Sequence, residues 1–214
     1  AVGRIKSPEM ADGIIRDRRA DMVALGRSLL ADPQWPAKAR RGAARTIRPC
    51  IGCCLGCIHA VFQLEPGGCV VNPDVGREYL LPARIETAVA PRKCLVVGAG
   101  PAGLAAARML ALRGHAVTVC DRQPQVGGAL RLASKPPGRF ELMDILNYFM
   151  EELAGLNVDM RLNRALDEDL LRMLAPDDVI LATGSLADTP MVKGLYQTDM
   201  QVGTATELLS GTLD

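Results

Sequence analysis

Four cysteines, Cys50, Cys53, Cys57 and Cys69, stand within one 20-residue stretch, spaced Cys-x2-Cys-x3-Cys-x11-Cys. Thiols at that density have to be satisfied together, by cross-links or by a metal, and this limits the fold more than the hydrophobic pattern does. The chain has seven cysteines, an odd number, and five of them fall between 50 and 69. A disulfide framework spreads its cysteines through a small secreted domain. Here no basic region followed by an apolar run marks a secretory signal. Clustered thiols in such a chain fit metal ligation in a reducing compartment, so a cytoplasmic location is expected. Thiolates suit zinc or iron–sulfur clusters. Structural zinc sites usually present two short knuckles separated by a loop. Three ligands crowded into eight residues, with a fourth arriving alone, are closer to [4Fe–4S] ligation. Zinc and uncoordinated thiols remain the alternatives. Cys54 is the spare, since adjacent cysteines cannot easily serve two corners of one cluster. His59 reads as a packing residue, and Cys94 and Cys120, on expected strands, read as small buried hydrophobes.

A second feature follows about 30 residues later. Gly98-x-Gly100-x-x-Gly103 comes after an apolar run, Cys94 to Val97, and opens a helical stretch that includes Pro101 and Ala102. Asp121 ends the next apolar run, 18 residues beyond Gly103. This strand–turn–helix–strand–acid context makes the glycine pattern a dinucleotide fingerprint. The first glycine permits the tight turn, the second lets backbone approach a pyrophosphate, and the third packs helix on strand. The pyrophosphate meets the positive end of the helix, and Asp121 would bond ribose hydroxyls. Whether the nucleotide is FAD or NAD is not settled by the motif. Arg122 could favour an extra phosphate, or could simply be solvated.

The chain divides into three zones. Residues 1–48 read as strand, helix, strand, helix. Ser7 is an N-cap and Pro8 the first helical residue of a helix to Arg16, and Asp21 to Leu25 is a short buried strand. Residues 49–90 hold the cysteines and little periodic signal. Residues 91–214 alternate strands (Cys94–Val97, Ala116–Cys120, Asn157–Leu162, Asp178–Ala182) with helices (Pro101–Arg113, Phe140–Leu156), the pattern of an α/β parallel sheet. The net charge of +1 and aromatic content of 3% give no footprint for nucleic acid,. No apolar run approaches the ~20 residues that cross a bilayer, so neither nucleic acid nor membrane is an expected partner.

These residues resemble a known family. Gly98 to Gly103, with Gly127, Gly128 and Ala182-Thr183-Gly184, resembles the FAD domain of the glutathione-reductase type. Arg48-Pro49-Cys50-Ile51-Gly52-Cys53, then Cys57, then Cys69 with Asn72-Pro73, resembles the iron–sulfur segment of the 2,4-dienoyl-CoA reductase and trimethylamine dehydrogenase family. Cys53-x3-Cys57 is similar to its reductase branch, and Cys54 stands where the family commonly has Asn. Gly3-Arg4-Ile5, Ala20 to Val23 and Gly26 to Pro33 resemble the last two βα units of the old-yellow-enzyme barrel. The resemblance implies that Gly3, Arg4, Gly26 and Arg27 hold an FMN phosphate at the barrel mouth, a common phosphate site. It also implies that the rest of a ~250-residue barrel, with its catalytic acid and substrate pocket, lies before Ala1, and that a nicotinamide-binding domain begins near Asp214. The chain is therefore expected to be an internal piece of a longer enzyme or a truncated product.

The implied activity is electron flow from NAD(P)H through FAD and a [4Fe–4S] cluster to FMN and then to an α,β-unsaturated small molecule. Oxidative N-demethylation of a methylated amine, with reverse flow, is an alternative. So is a truncated, non-catalytic electron-transfer subunit. The partners implied are the substrate and the remaining parts of the same enzyme or an electron-transfer protein. The chain shows no catalytic acid–base constellation of its own, and neither of its two His pairs with a plausible nucleophile.

Overall fold

The structure is a computed structural model that describes residues 1–80, 85–188, 190–195, 197 and 201–212. Ser7 and Pro8 open the first helix. The Ser7 hydroxyl accepts the Met10 amide at 3.2 Å, and α1 runs Pro8–Arg16,. The apolar run Asp21 to Leu25 does not build the expected buried strand. Ala24 makes one parallel bridge to Val2, and Val2 and Met22 are exposed. With no third strand beside them among the described residues, these two short segments have nothing to extend a ladder. Helices α2 (Arg27–Ala31) and α3 (Trp35–Arg40) follow. Ser28 Oγ donates to the Ile5 carbonyl at 2.6 Å, and Trp35 Nε1 donates to the Lys6 carbonyl at 3.1 Å. These bonds strap residues 5 and 6 across the two helices. Ile5, Ala11, Trp35 and Ile47 form a small core there.

Among its described residues the cysteine segment contains one short helix, α4 (Ile58–Gln63). Beyond it come β1 (Lys93–Val97), α5 (Pro101–Leu112), β2 (Ala116–Cys120), α6 (Ala129–Ala133), α7 (Asp144–Gly155), β3 (Asp159–Arg161), α8 (Glu168–Leu174), β4 (Asp178–Leu181) and α9 (Ala205–Ser210). The helix expected from Phe140 begins with a 3₁₀ turn, Phe140–Met143, before α7 proper. The four strands form one parallel sheet in the order β3-β2-β1-β4. That order belongs to the doubly wound nucleotide-binding folds.

Strand β1 is buried on both faces, which is why its sequence is a continuous apolar run. Cys94 and Val96 pack with Leu104, Ala107, Leu146 and Leu153 of α5 and α7. Leu95 and Val97 pack with Cys120 and with Leu170 of α8. Cys94 and Cys120 are buried, as the sequence implies, and burial pushes both thiols up from their ordinary values.

One buried polar junction ties the three zones together. Asp32, only 4% exposed, accepts Lys38 Nζ at 2.7 Å, the Arg48 amide at 2.8 Å and the Gln34 amide at 2.9 Å. Arg48 Nη1 donates to Asn72 Oδ1 at 2.7 Å, and Asn72 Nδ2 donates to the Leu30 carbonyl at 2.8 Å. The Arg48 guanidinium also lies 5.7 Å from the ring centre of Tyr148, a buried residue of α7, within cation–π range. Asp32→Ala would leave the Arg48 amide without a partner in a dry site and would take the carboxylate from Lys38, which keeps the Thr46 carbonyl at 2.6 Å. Such losses cost about 2–4 kcal/mol. Chemical denaturation of the variant should show an unfolding free energy lowered by that amount, whereas an unchanged value would mean that the junction carries no stability.

Candidate functional site

The cysteine segment folds back on itself between Gly56 and Gly68. The Gly68 amide donates to the Gly56 carbonyl at 2.6 Å, and a Cβ on Gly56 would lie 2.9 Å from the Gly68 backbone. Glycine is needed at 56 for that approach, which brings the Cys57 and Cys69 segments together. Cys50, Cys53, Cys57 and Cys69 then line a single cavity whose other walls include Leu30, Ile51, Val70, Val71 and Arg27. All seven cysteines are free thiols. Burial pushes the Cys53 thiol up from its ordinary value. The Cys69, Cys57 and Cys50 thiols push the same way, against a hydrogen bond from the Leu55 backbone. Thiols so placed give up their protons most readily when a metal arrives to offset the charge. Among the described residues, no three His, Cys, Asp or Glu side chains are arranged to hold a single metal ion. Four thiols lining one cavity are a donor set that zinc or an iron–sulfur cluster accepts,. Cys54 also borders the cavity, but its backbone is left-handed (φ 57°) and its sulfur accepts Arg27 Nη1 at 3.2 Å. His59 is exposed.

A second cavity, of about 180 Å³, adjoins the first. Its lining includes Gly3, Arg4, Gly26 and Arg27 together with Cys50, Gly52 and Glu141. Arg27 and Cys50 border both cavities. The straps from Ser28 and Trp35 to residues 5 and 6 hold the two glycine-bearing loops side by side. Arg4 is engaged by Glu141, an acid the sequence reading missed. Lys6 lies 3.4 Å from Glu141 and 2.6 Å from Asp144. Burial alone would raise the Glu141 pKa, but hydrogen bonds and charge from Arg4 and Lys6 outweigh it and hold the carboxyl below its usual range.

A third site lies at the carboxyl ends of the strands, where β1 meets β4 and the strand order reverses. Gly98 and Gly103 are places of close approach. A Cβ on Gly98 would lie 2.3 Å from the Ala182 carbonyl oxygen, and one on Gly103 would lie 1.9 Å from the Gly98 carbonyl oxygen. Ala182 and Thr183, just after β4, therefore lie directly against the fingerprint turn, with Gly184 next in sequence. A Cβ on Gly100 meets nothing within 4 Å, so the space in front of this glycine is open. Gly100 caps α5, with Pro101 and Ala102 in its first turn. Asp121 sits at the end of β2; its Oδ2 accepts the Ala99 amide at 2.6 Å and its Oδ1 the Gln123 amide at 2.8 Å. A carboxylate has about four acceptor positions, so two remain for hydroxyls. The Gly127 amide donates to the Ala99 carbonyl at 2.7 Å, and Gly128 sits beside Gly100. Arg122 is exposed.

Two family profiles match the chain. One, described as the NADH:flavin oxidoreductase / NADH oxidase family, covers residues 1–46. The other, an NAD(P)-binding Rossmann-like domain, covers residues 96–151. The structure superposes on 2-naphthoyl-CoA reductase in complex with 2-naphthoyl-CoA with a TM-score of 0.92 and 31% identity, over 100% of this chain and 32% of that one. The chain is thus similar, over its whole length, to enzymes of the 2,4-dienoyl-CoA reductase and trimethylamine dehydrogenase type. An NADH oxidase of Thermoanaerobacter brockii is 42% identical over 98% of this chain and 32% of its own length. Histamine dehydrogenase from Rhizobium sp. 4-9 superposes with a TM-score of 0.86 and 30% identity, over 99% of this chain and 32% of that one. The chain thus spans about a third of the length of these family members. They are flavin-dependent oxidoreductases as a class, and the flavin and nicotinamide profiles fall on the segments that carry the second and third sites. Among the described residues, no helix is long and apolar enough to cross a membrane.

The glycine geometry separates two variants of the fingerprint turn. Gly100→Val should fold, because nothing meets the new side chain, and should lose bound dinucleotide, because the side chain fills the open space. Gly103→Val should not fold. Extraction and absorbance of bound nucleotide, with circular dichroism for folding, reads both. Normal nucleotide content in folded Gly100→Val would remove the turn from the binding site.

Proposed function

We propose that this chain carries the cofactor-bearing middle of an NAD(P)H-dependent oxidoreductase that reduces an α,β-unsaturated small molecule. In this reading residues 1–48 close a barrel and hold the FMN phosphate through Gly3, Arg4, Gly26 and Arg27. Residues 49–90 hold one [4Fe–4S] cluster through Cys50, Cys53, Cys57 and Cys69. Residues 91–214 hold the ADP half of FAD through Gly98, Gly100, Pro101, Ala102, Gly103, Asp121, Gly128, Thr183 and Gly184. Bound together, these groups would supply two-electron exchange at the flavins and one-electron relay at the cluster.

The observation that carries this reading is the shared wall. Arg27 and Cys50 border both the cleft lined by Gly3, Arg4 and Gly26 and the thiol cavity, so two redox groups seated there would be neighbours. The chain's own residues have simple tasks. The amides at the start of α5 and the helix dipole meet a pyrophosphate. Asp121 offers its remaining lone pairs to ribose hydroxyls. Arg27 offers a planar, permanent cation to a phosphate. The apolar wall of Leu30, Ile51, Val70 and Val71 lowers the local dielectric around the thiols.

Likeness to 2-naphthoyl-CoA reductase supports an acyl-CoA or related unsaturated substrate, as does the Cys53-x3-Cys57 spacing. Likeness to histamine dehydrogenase supports a second reading, oxidation of an amine with electrons leaving to an external acceptor. NAD(P)H-driven reduction of an enoyl-CoA, set against amine-driven reduction of a dye, separates the two in the native polypeptide.

Two outcomes test the cofactor assignments. Anaerobically purified protein should contain about four iron and four sulfide per chain. Cys50→Ala, Cys57→Ala and Cys69→Ala should each lose them, while Cys54→Ala should keep them. Stoichiometric zinc without iron or sulfide would refute the cluster. Arg27→Ala should weaken FMN by about 1.5–3 kcal/mol, the worth of a charge-assisted contact, or roughly 10- to 150-fold in Kd by fluorescence titration. Unchanged FMN affinity would remove Arg27 from the phosphate site.

A further inference from the structure

Arg27 is half-buried, and among the described residues it has no carboxylate within ion-pair distance. Glu141, the acid lining the same cleft, is committed to Arg4 and Lys6. The side-chain partner recorded for the Arg27 guanidinium is the Cys54 sulfur, at 3.2 Å. Cys54 is held for this contact by an unusual backbone. Among the described residues it is one of seven non-glycine residues with positive φ, at 57°, in a region that most side chains avoid. Its thiol also lies 3.6 Å from the Gly52 carbonyl, within reach of a weak S–H bond. The contact therefore parks an uncompensated positive charge on the wall of the cavity lined by Cys50, Cys53, Cys57 and Cys69, and on the wall of the neighbouring cleft.

We propose that the Arg27–Cys54 contact is a tuning device: Cys54 holds the Arg27 guanidinium against the cysteine cage, so that Arg27 raises the reduction potential of the cluster and makes that potential depend on whether an anion occupies the adjacent cleft. This rests on the cluster reading above. One-electron reduction of a bound cluster adds one negative charge and moves no proton, with the electron supplied in vitro by dithionite. A fixed cation nearby favours the more negative state, and a half-buried cation is screened less than an exposed one. A phosphate bound to Arg27 offsets that cation and lowers the potential again. Arg27 thus acts on the cluster as a positioning residue, through charge and not by ligation.

The test is a potentiometric titration of the cluster followed by electron paramagnetic resonance, in the native polypeptide stripped of FMN. Arg27→Gln should shift the midpoint to more negative potential. Cys54→Gly keeps the left-handed backbone but removes the acceptor, so it should shift the midpoint in the same direction by less. Cys54→Asn tolerates that backbone and offers Oδ1 to Arg27, so it should stay at the wild-type value. Inorganic phosphate should shift the wild type negative and leave Arg27→Gln unmoved. A purely structural role for the contact would not produce this ordering. A wild-type potential in Arg27→Gln with full iron content would overturn the proposal. If that variant lost its cluster, a wild-type potential in Cys54→Gly would overturn it instead. Wild-type protein without iron and sulfide would overturn the cluster reading itself, and iron analysis detects this before any titration.

Discussion

The bond from Arg48 to Asn72 closes the cysteine segment. The two residues bracket the four ligand candidates in sequence, and Asn72 passes the link on to Leu30 while the Arg48 amide passes it to Asp32. A segment with one six-residue helix cannot bury enough apolar surface to define its own shape. Its two ends are fixed instead by buried, fully partnered polar groups, and its middle by the Gly56–Gly68 fold-back. Among the described residues no buried side-chain polar atom lacks a partner. Such a junction is satisfied only in one arrangement, which gives it specificity as well as energy.

From that junction the placement of all three sites follows. Arg48 lies over the Tyr148 ring on α7, and Arg108 of α5 lies 5.8 Å from the same ring while pairing with Glu152 at 2.8 Å. The sheet domain is therefore joined to the cysteine segment through this aromatic face and through Ile51 and Val71, which pack against its core. On the other side, Arg4 and Lys6 reach Glu141 and Asp144. Charges on the N-terminal zone and the sheet domain complement one another across the cleft, and among the described residues Arg27, without an ion-pair partner, borders the thiol cavity.

Much of this was legible in the sequence, for identifiable reasons. The strands at 93–97 and 116–120 are doubly buried and so read as apolar runs. Ser7-Pro8 marked the start of α1. The glycine spacing and Asp121 placed the third site. The strand expected at 21–25 failed because an apolar run needs strand neighbours to become a strand, and here it has one bridge. The short helix α8 went unread although Asp167 caps it, accepting the Leu170 amide at 2.8 Å. Seven residues are too few for a periodic signal, and only the cap chemistry could have shown it. Thr204 and Glu207 likewise form a capping box on α9. The bonds from Arg4 to Glu141, from the Arg48 amide to Asp32 and from Arg48 to Asn72 were out of reach of local reasoning, since they join residues between 16 and 137 positions apart. Arg48 and Asn72 did stand in the motif that carried the family resemblance, without a visible reason there.

The central claim is that four thiols from one loop enclose a cluster beside a flavin-phosphate cleft. An anomalous-difference map at the iron absorption edge, from crystals grown anaerobically, tests it most directly. The account predicts one compact iron peak bounded by the sulfurs of Cys50, Cys53, Cys57 and Cys69, with the Cys54 sulfur outside the bonding distance and facing Arg27. A single-atom peak that appears at the zinc edge and not at the iron edge would contradict it, as would an iron peak bonded to Cys54.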